Sequence, residues 1–189
     1  MRNTLLYAFV VAWLLGTTFI FSKMHGLHFA SFENKEVNKH MPLVTEQDWG
    51  IVHILADGCG CSDLVAEHLI KRGPAGDADE KVLLLGDTEQ YTKKLQNKGF
   101  QIINSKEVKG YIEGVPMLII HNKNGDIKYS GGYANKMITP ITPILDMKLF
   151  QQVKQQTVQK NFVVRGCAVS RKIQQELDPL GLKYEKDTL

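Results

Sequence analysis

The sequence has few cysteines and no strong excess of charge. Three cysteines in 189 residues are too few, and odd in number, for the disulfide framework of a small secreted domain. The formal net charge is +3, and no basic stripe interleaved with aromatic residues is present, which argues against a nucleic-acid partner. Zinc-site spacing, a Walker loop, a dinucleotide-binding glycine motif and a Ser-His-Asp order are also missing. Most other enzyme classes therefore lack support.

What the composition does show is an ordinary globular balance. Apolar residues make up 43% of the chain and charged residues 23%, so wholesale disorder is excluded. The length of 189 residues is enough for one domain of medium size with an additional segment at one end.

The amino-terminal segment is uncharged over residues 4–21. A helix that crosses the hydrocarbon core needs about 20 mostly apolar residues, whereas the apolar part of a cleaved signal peptide has about 7–15 and ends at a small-x-small site. No convincing cleavage site follows the run. The sequence therefore predicts an uncleaved membrane anchor over residues 1–22, which contacts the lipid bilayer through residues 4–22, and cleavage remains the alternative.

The charges that flank the anchor indicate its orientation. Arg2 and the terminal amine, weighed against Lys23 by the positive-inside rule, favour a cytoplasmic amino terminus by a small margin. We therefore expect a single-pass protein of the bacterial inner membrane with its soluble domain in the periplasm. That oxidising compartment suits a cysteine pair that works as a disulfide.

The remainder divides into three predicted segments. Residues 23–43 are polar and aperiodic, as in a linker; residues 44–158 alternate between strand and helix patterns; residues 159–189 form a carboxy-terminal extension that carries Cys167. Strands are predicted at 49–56, 81–86, 115–121 and 127–133, and helices at 61–72, 89–97 and 140–158. This order predicts an α/β fold in which helices flank a central mixed β-sheet.

Cys59 and Cys61 lie where the first strand of this domain ends and its first helix begins. Unpaired N–H groups and the positive end of the helix dipole favour a thiolate there, and the thiolate is the species that attacks disulfides. We expect Cys59, outside the helix, to be the more exposed nucleophile and Cys61 to be the resolving thiol. Asp57 is a candidate proton acceptor for Cys61, although a turn-forming aspartate is the commoner case.

The strand–Cys-x-Cys–helix junction, the Val115-Pro116 strand entry and the Asn124-Gly125 hairpin together resemble the thioredoxin fold over residues 44–158. The resemblance implies that Pro116 follows a cis peptide bond and faces the cysteines. It also implies that Val115 and Pro116 shape a substrate groove, in which the Val115 backbone binds an extended client.

A narrower resemblance is to membrane-anchored bacterial thioredoxin-like proteins that combine a Cys-x-Cys pair, a Gly-Gly strand end and a late Gly-Cys. Here these motifs are Cys59/Cys61, Gly131-Gly132 and Gly166-Cys167. If Cys167 folds back beside the pair, it could form a different disulfide with Cys59 or complete a metal site. A lone cysteine in an apolar stretch is more often a small buried hydrophobe.

The chain departs from the usual thioredoxin motif, because Gly58 replaces an aromatic residue and Gly60 alone separates the cysteines. A disulfide across one residue closes a tight ring, which is easier to reduce, and glycine relieves part of the strain. We therefore expect the pair to be more oxidising than a typical reducing thioredoxin, as equilibration with glutathione buffers would test.

These features favour an extracytoplasmic thiol–disulfide oxidoreductase that needs no cofactor. Its partners would be protein or small-molecule thiols and disulfides and a membrane or periplasmic redox protein. The alternative is a copper-binding or copper-delivery protein, because soft thiolates suit Cu(I), with ligands from Cys59, Cys61, Cys167 and His121. A redox-inactive membrane adaptor on the same scaffold is the third possibility. His53 lies in a strand that leads to the pair and could also approach it.

Overall fold

The computed structural model describes residues 2–28, 30–34, 36–41, 43–86, 89–103, 108, 110–157, 160–178, 181 and 184. The helices are α1 (Arg2–His28), α2 (Val37–His40), α3 (Gly60–Arg72), α4 (Glu89–Asn97), α5 (Asp146–Lys154) and α6 (Arg171–Leu177). The strands are β1 (Ala30–Phe32), β2 (Trp49–Ala56), β3 (Asp79–Leu85), β4 (Gln101–Ile103), β5 (Gly114–Val115), β6 (Met117–Asn122), β7 (Ile127–Gly131) and β8 (Val164–Ala168).

The main sheet has the strand order β4-β3-β2-β6-β7. Strands β2, β3 and β4 are parallel, whereas β6 is antiparallel to both β2 and β7. This is the predicted central mixed sheet. Its chain order has the pattern of the thioredoxin-like fold, with strands β2, β3, β6 and β7 and helices α3 and α5. Because β2 and β3 are parallel, the carboxyl end of β2 lies at the same end of the sheet as that of β3. The cysteine pair follows directly after this end of β2.

Two apolar cores lie on the two faces of this sheet, because alternate side chains of a strand point in opposite directions. From β2, Ile51 and Leu55 join the core that also contains side chains of α3, α4 and α5. Val52 and Ile54 point to the opposite core. Helices therefore flank the sheet as the sequence predicted.

The second core is covered by a small sheet in the order β1-β8-β5, together with α2 and α6. The linker prediction for residues 23–43 does not hold for the part between 30 and 41, because Phe32, Val37 and Met41 are buried in this core. Three residues of strand and one turn of helix carry too little periodicity to be recognised without their partners.

The carboxy-terminal segment also belongs to the folded body. Strand β8 pairs antiparallel with β1 on one edge and with β5 on the other. Residues 164–177 are thus part of the domain, rather than an extension outside it as the predicted boundary at residue 158 implied. Both pairings join parts of the chain that are distant in sequence, so no local sequence pattern predicts them.

Helix α1 contains an apolar stretch, Thr4–Ser22, that is long enough to cross a membrane, and none of it is buried against the domain. The prediction of one amino-terminal apolar helix of spanning length is therefore confirmed.

Candidate functional site

The cysteine pair occupies the turn between β2 and α3. Gly58 adopts a φ of 65°, a left-handed conformation that glycine tolerates, and this turn reverses the chain after Ala56. Cys59 is then the N-cap residue of α3, and the N–H of Asp63 donates to its carbonyl at 3.0 Å. The predicted junction of strand, Cys-x-Cys and helix is therefore present.

The exposure of the two thiols is the reverse of the prediction. Cys59 is 0% exposed and belongs to the core beneath the small sheet, whereas Cys61 is partly exposed. Because the Gly58 turn directs residue 59 inward, position outside the helix does not place its side chain in solvent. Neither thiol forms a disulfide in this structure.

The Cys59 sulfur is surrounded by donors that stabilise a thiolate. Hydrogen bonds from the Cys167 thiol, and next from the Cys61 thiol, lower the pKa of Cys59 far below its ordinary value of 9.0. Burial raises the pKa of Cys59 and so opposes this shift, whereas hydrogen bonds from the hydroxyl and the N–H of Ser62 lower the pKa further. The Ser62 hydroxyl also accepts from the Ala56 N–H at 3.2 Å, which leaves its own proton for donation to the Cys59 sulfur. The thiolate expected from the helix terminus therefore owes more to neighbouring thiols.

Cys61 faces the loop between β7 and α5. Its Sγ lies 3.6 Å from the Met137 Sδ and 3.5 Å from the Ile138 carbonyl oxygen. Met137 is partly exposed and was not identified from the sequence, because its place beside Cys61 depends on a loop fold that has no local motif.

The peptide bond between Val115 and Pro116 is cis, as the resemblance implied. The Cys59 Sγ lies 4.0 Å from the Val115 carbonyl oxygen, so the proline step adjoins the pair. Val115 is fully buried and Pro116 is buried with it. The groove expected at these residues is not open, because β8 already pairs with Val115.

Cys167 lies in that strand, directly opposite Val115 in the antiparallel register. It is partly exposed and close enough to Cys59 to donate a hydrogen bond. The close approach depends on Gly166, since a Cβ there would lie 2.0 Å from the Val115 carbonyl oxygen. Cys167 therefore folds back beside the pair, and Gly166 is a residue whose contribution the sequence alone did not reveal.

Asp57 and His121 do not take the expected positions. The Asp57 side chain is exposed, while its N–H donates to the Leu85 carbonyl at 2.8 Å. His121 pairs with Gly50, near the start of β2, whereas the cysteines follow its end about 20 Å away at about 3.3 Å per residue. The copper ligand set that includes His121 is therefore not assembled.

His53 is buried in β2 and bonds away from the cysteines. Its Nδ1 lies 2.8 Å from the Tyr133 hydroxyl and its Nε2 lies 2.5 Å from the Glu80 Oε1. His53, Glu80 and Asp146 form the one group in the described part of the chain whose three metal-ligating atoms lie within 4.8 Å of one another.

The chemistry of this group does not fit a metal. The Arg72 guanidinium forms ion pairs with both Glu80 and Asp146, and a cation already neutralises the two carboxylates. Burial disfavours the charged form of Glu80, but His53 and Arg72 outweigh it and lower its pKa to about 2. We interpret the group, named here the Arg72 cluster (His53, Arg72, Glu80 and Asp146), as a structural ion-pair network.

Comparison with known proteins adds information on the fold. No family model matches the sequence, and no curated protein is similar to it. A hypothetical protein from Sinorhizobium meliloti has a similar structure, with a TM-score of 0.50 and 15% identity over 76% of this chain and 92% of that chain. At this identity the similarity concerns the fold alone.

Two further solved structures are more distant. An uncharacterised conserved protein from Geobacillus kaustophilus has a TM-score of 0.44 and 14% identity over 66% of this chain and 77% of its own. A candidate thiol-disulfide oxidoreductase from Bacteroides vulgatus has a TM-score of 0.35 and 18% identity over 58% and 73%.

Proposed function

We propose that this protein is a membrane-anchored thiol–disulfide oxidoreductase of the bacterial periplasm in which Cys59 and Cys61 form the redox pair. The observation that carries the proposal is the buried Cys59 sulfur, which lies beside a cis-proline and receives hydrogen bonds from two thiols. A stabilised thiolate with a second thiol in reach is the arrangement that disulfide exchange requires. A purely structural cysteine has no need of it.

The difference in exposure assigns the two roles. Cys61 is the thiol that a client disulfide can reach, so its sulfur attacks the client, forms a mixed disulfide and releases one client thiolate. The Cys59 thiolate then attacks the Cys61 sulfur, which forms the Cys59–Cys61 disulfide and releases the second client thiolate. The protein loses two electrons and the client gains them, and the reverse sequence oxidises a client dithiol.

The filled edge of β5 limits the clients. An extended peptide that pairs with the backbone before a cis-proline needs a free edge at Val115, and β8 occupies it. The proposed clients are therefore small disulfides or exposed protein disulfides that reach Cys61 beside Met137, and do not add a strand. A membrane or periplasmic redox protein would restore the pair.

Exchange activity of the full-length protein in detergent micelles tests this function. With oxidised glutathione or insulin as the disulfide, we expect turnover by the unaltered protein and a loss of at least ~100-fold for both Cys59→Ser and Cys61→Ser. Gln151→Ala, an exposed change on α5, is the matched control and should be neutral.

Trapping separates the roles of the two thiols. Cys59→Ser should accumulate a mixed disulfide between Cys61 and glutathione, whereas Cys61→Ser should not, because Cys59 is buried. Unchanged exchange rates in both variants would refute the redox function and favour the adaptor. Stoichiometric copper in protein purified under reducing conditions, without any exchange activity, would favour the copper-delivery alternative.

A further inference from the structure

Strand β8 occupies the position where an extended client was expected. It runs antiparallel to β5, with Gly114 opposite Ala168 and Val115 opposite Cys167. A cysteine is thus presented beside the cis-proline, next to the Cys59 sulfur, at the point where the cysteine of a bound client would lie. The chain places its own cysteine in the position of a substrate.

This strand is fixed in place and is not a loosely bound tail. Its opposite edge pairs with β1, which places Ala30 opposite Gly166. Beyond its end, the Val169 N–H donates to the Glu113 carbonyl at 2.8 Å, and the Gln174 side chain donates to the Ala168 carbonyl at 3.0 Å. Cys167 therefore remains beside Cys59 while clients come and go at Cys61.

Cys59 is the sulfur that the other two thiols share. Both Cys61 and Cys167 lie within hydrogen-bonding reach of it. Within the described residues, the sulfur atoms of the three cysteines do not all lie within 4.8 Å of one another. This spacing is less favourable for a metal site with three thiolate ligands. A central sulfur with a partner on each side instead suits a disulfide that moves from one partner to the other.

We propose that β8 is a built-in substrate strand and that Cys167 takes over the disulfide from Cys61. The Cys167 thiol gives up its proton to solvent, and its sulfur attacks the Cys59 sulfur of the Cys59–Cys61 disulfide. The Cys59–Cys167 bond forms, the Cys59–Cys61 bond breaks, and Cys61 leaves as a thiolate that takes up a proton. No net electron transfer occurs, so no further oxidant is needed. The inference rests on the proposed function for the first disulfide.

The consequence concerns the exposed thiol. Transfer moves the disulfide to the buried side and leaves Cys61 reduced and accessible beside Met137. The oxidised protein would then still present a thiol to a second client, which a two-cysteine thioredoxin in its oxidised form cannot do.

Disulfide mapping of the full-length protein in micelles tests this relay. After oxidation with oxidised glutathione and alkylation, trypsin cleaves after Arg165 and Arg171 and releases Cys167 in a short peptide, separate from the peptide with Cys59 and Cys61. We expect a Cys59–Cys167 link with alkylated Cys61 as the main oxidised species. Cys61→Ser lacks the thiol through which the disulfide enters and should remain unlinked, and Cys167→Ser should form Cys59–Cys61.

A Cys59–Cys61 link with alkylated Cys167 as the main oxidised species of the unaltered protein, or a Cys59–Cys167 link in Cys61→Ser, would overturn the relay. A Cys61–Cys167 link within monomers of Cys59→Ser would overturn the assignment of Cys59 as the shared sulfur. These results are independent of turnover. If exchange activity persists while no Cys59–Cys167 link forms, the relay fails and the proposed function stands. If the link forms without exchange activity, the function fails.

Discussion

At the scale of single residues, the environment of Cys59 determines the chemistry that the site can perform. Its sulfur is buried, which by itself raises the pKa of a thiol, but the thiols of Cys167 and Cys61 more than compensate. A low pKa also makes a thiolate a better leaving group. Cys59 is therefore suited to exchange between internal partners, while the partly exposed Cys61 is suited to contact with clients.

The donor role of Cys167 can be measured. Replacing Cys167 with alanine removes the largest hydrogen bond to Cys59, so the pKa of Cys59 should rise and its thiolate fraction at mildly acidic pH should fall. Cys167→Ser keeps a hydroxyl donor and should retain more of the thiolate. Titration of the ultraviolet thiolate absorbance checks both variants. Identical curves for Cys167→Ala and the unaltered protein would show that the donor has no effect.

At the scale of secondary-structure elements, the Arg72 cluster joins β2, β3, α3 and α5 through buried charges. The guanidinium of Arg72 is shared between Glu80 and Asp146, whose side chains are 0% and 3% exposed. A second carboxylate oxygen of Glu80 accepts from the Ala75 N–H at 2.6 Å. The cluster therefore fixes the end of α3 opposite to the cysteines, and with it the direction of the helix.

Arg72→Met should destabilise the protein by about 3–5 kcal/mol near neutral pH, because two buried carboxylates lose their cation. Burial opposes ionisation of Glu80, but its partners lower the pKa from 4.5 to about 2. A lowered pKa adds stability that is complete above the ordinary value and is lost as the pH falls toward 2. The difference between variant and unaltered protein should therefore shrink over that range, as chemical denaturation at a series of pH values would measure.

The control for this variant is Lys39→Met. Lys39 pairs with Glu36 at 2.9 Å, but both side chains are more than half exposed, so the free energy of unfolding should change little. An equal loss of stability in the two variants, or a loss in Arg72→Met that is independent of pH, would contradict the interpretation of the cluster.

At the scale of the whole molecule, an apolar helix of spanning length precedes a thioredoxin-like domain. The apolar side chains of Thr4–Ser22 are not buried inside the structure, and the hydrocarbon core of a bilayer would cover them. Anchoring would hold the proposed redox site close to the bilayer.

Membrane extraction tests the anchor. Leu14→Arg places a charge near the middle of the span at a cost of about 2.5–3.5 kcal/mol, so less protein should remain in membranes after alkaline extraction. Leu14→Ala keeps the segment apolar and should remain bound. The intact mass of the extracted protein should include residues 1–22, and a mass without them would establish cleavage.

Much of the central domain could be predicted from the sequence, because its signals are local. The run from Trp49 to Ala56 has the length and composition of a buried strand, and it is β2. The predicted helix over residues 89–97 has the bounds of α4. The cysteine pair could likewise be placed from its position at the end of an element, whereas the cis-proline was implied by the resemblance to the thioredoxin fold.

What the sequence by itself determined, then, is the order of strands and helices in the central domain, the apolar amino-terminal helix and the place of the Cys59/Cys61 pair at a helix start. Only the tertiary structure decided that Cys59 is buried, that Cys61 faces Met137 and that Cys167 lies opposite Val115. The physical reason is distance along the chain. Periodicity and turn residues act over a few neighbours, whereas β8 acquires its position by pairing residue 166 with residue 30 and residue 167 with residue 115.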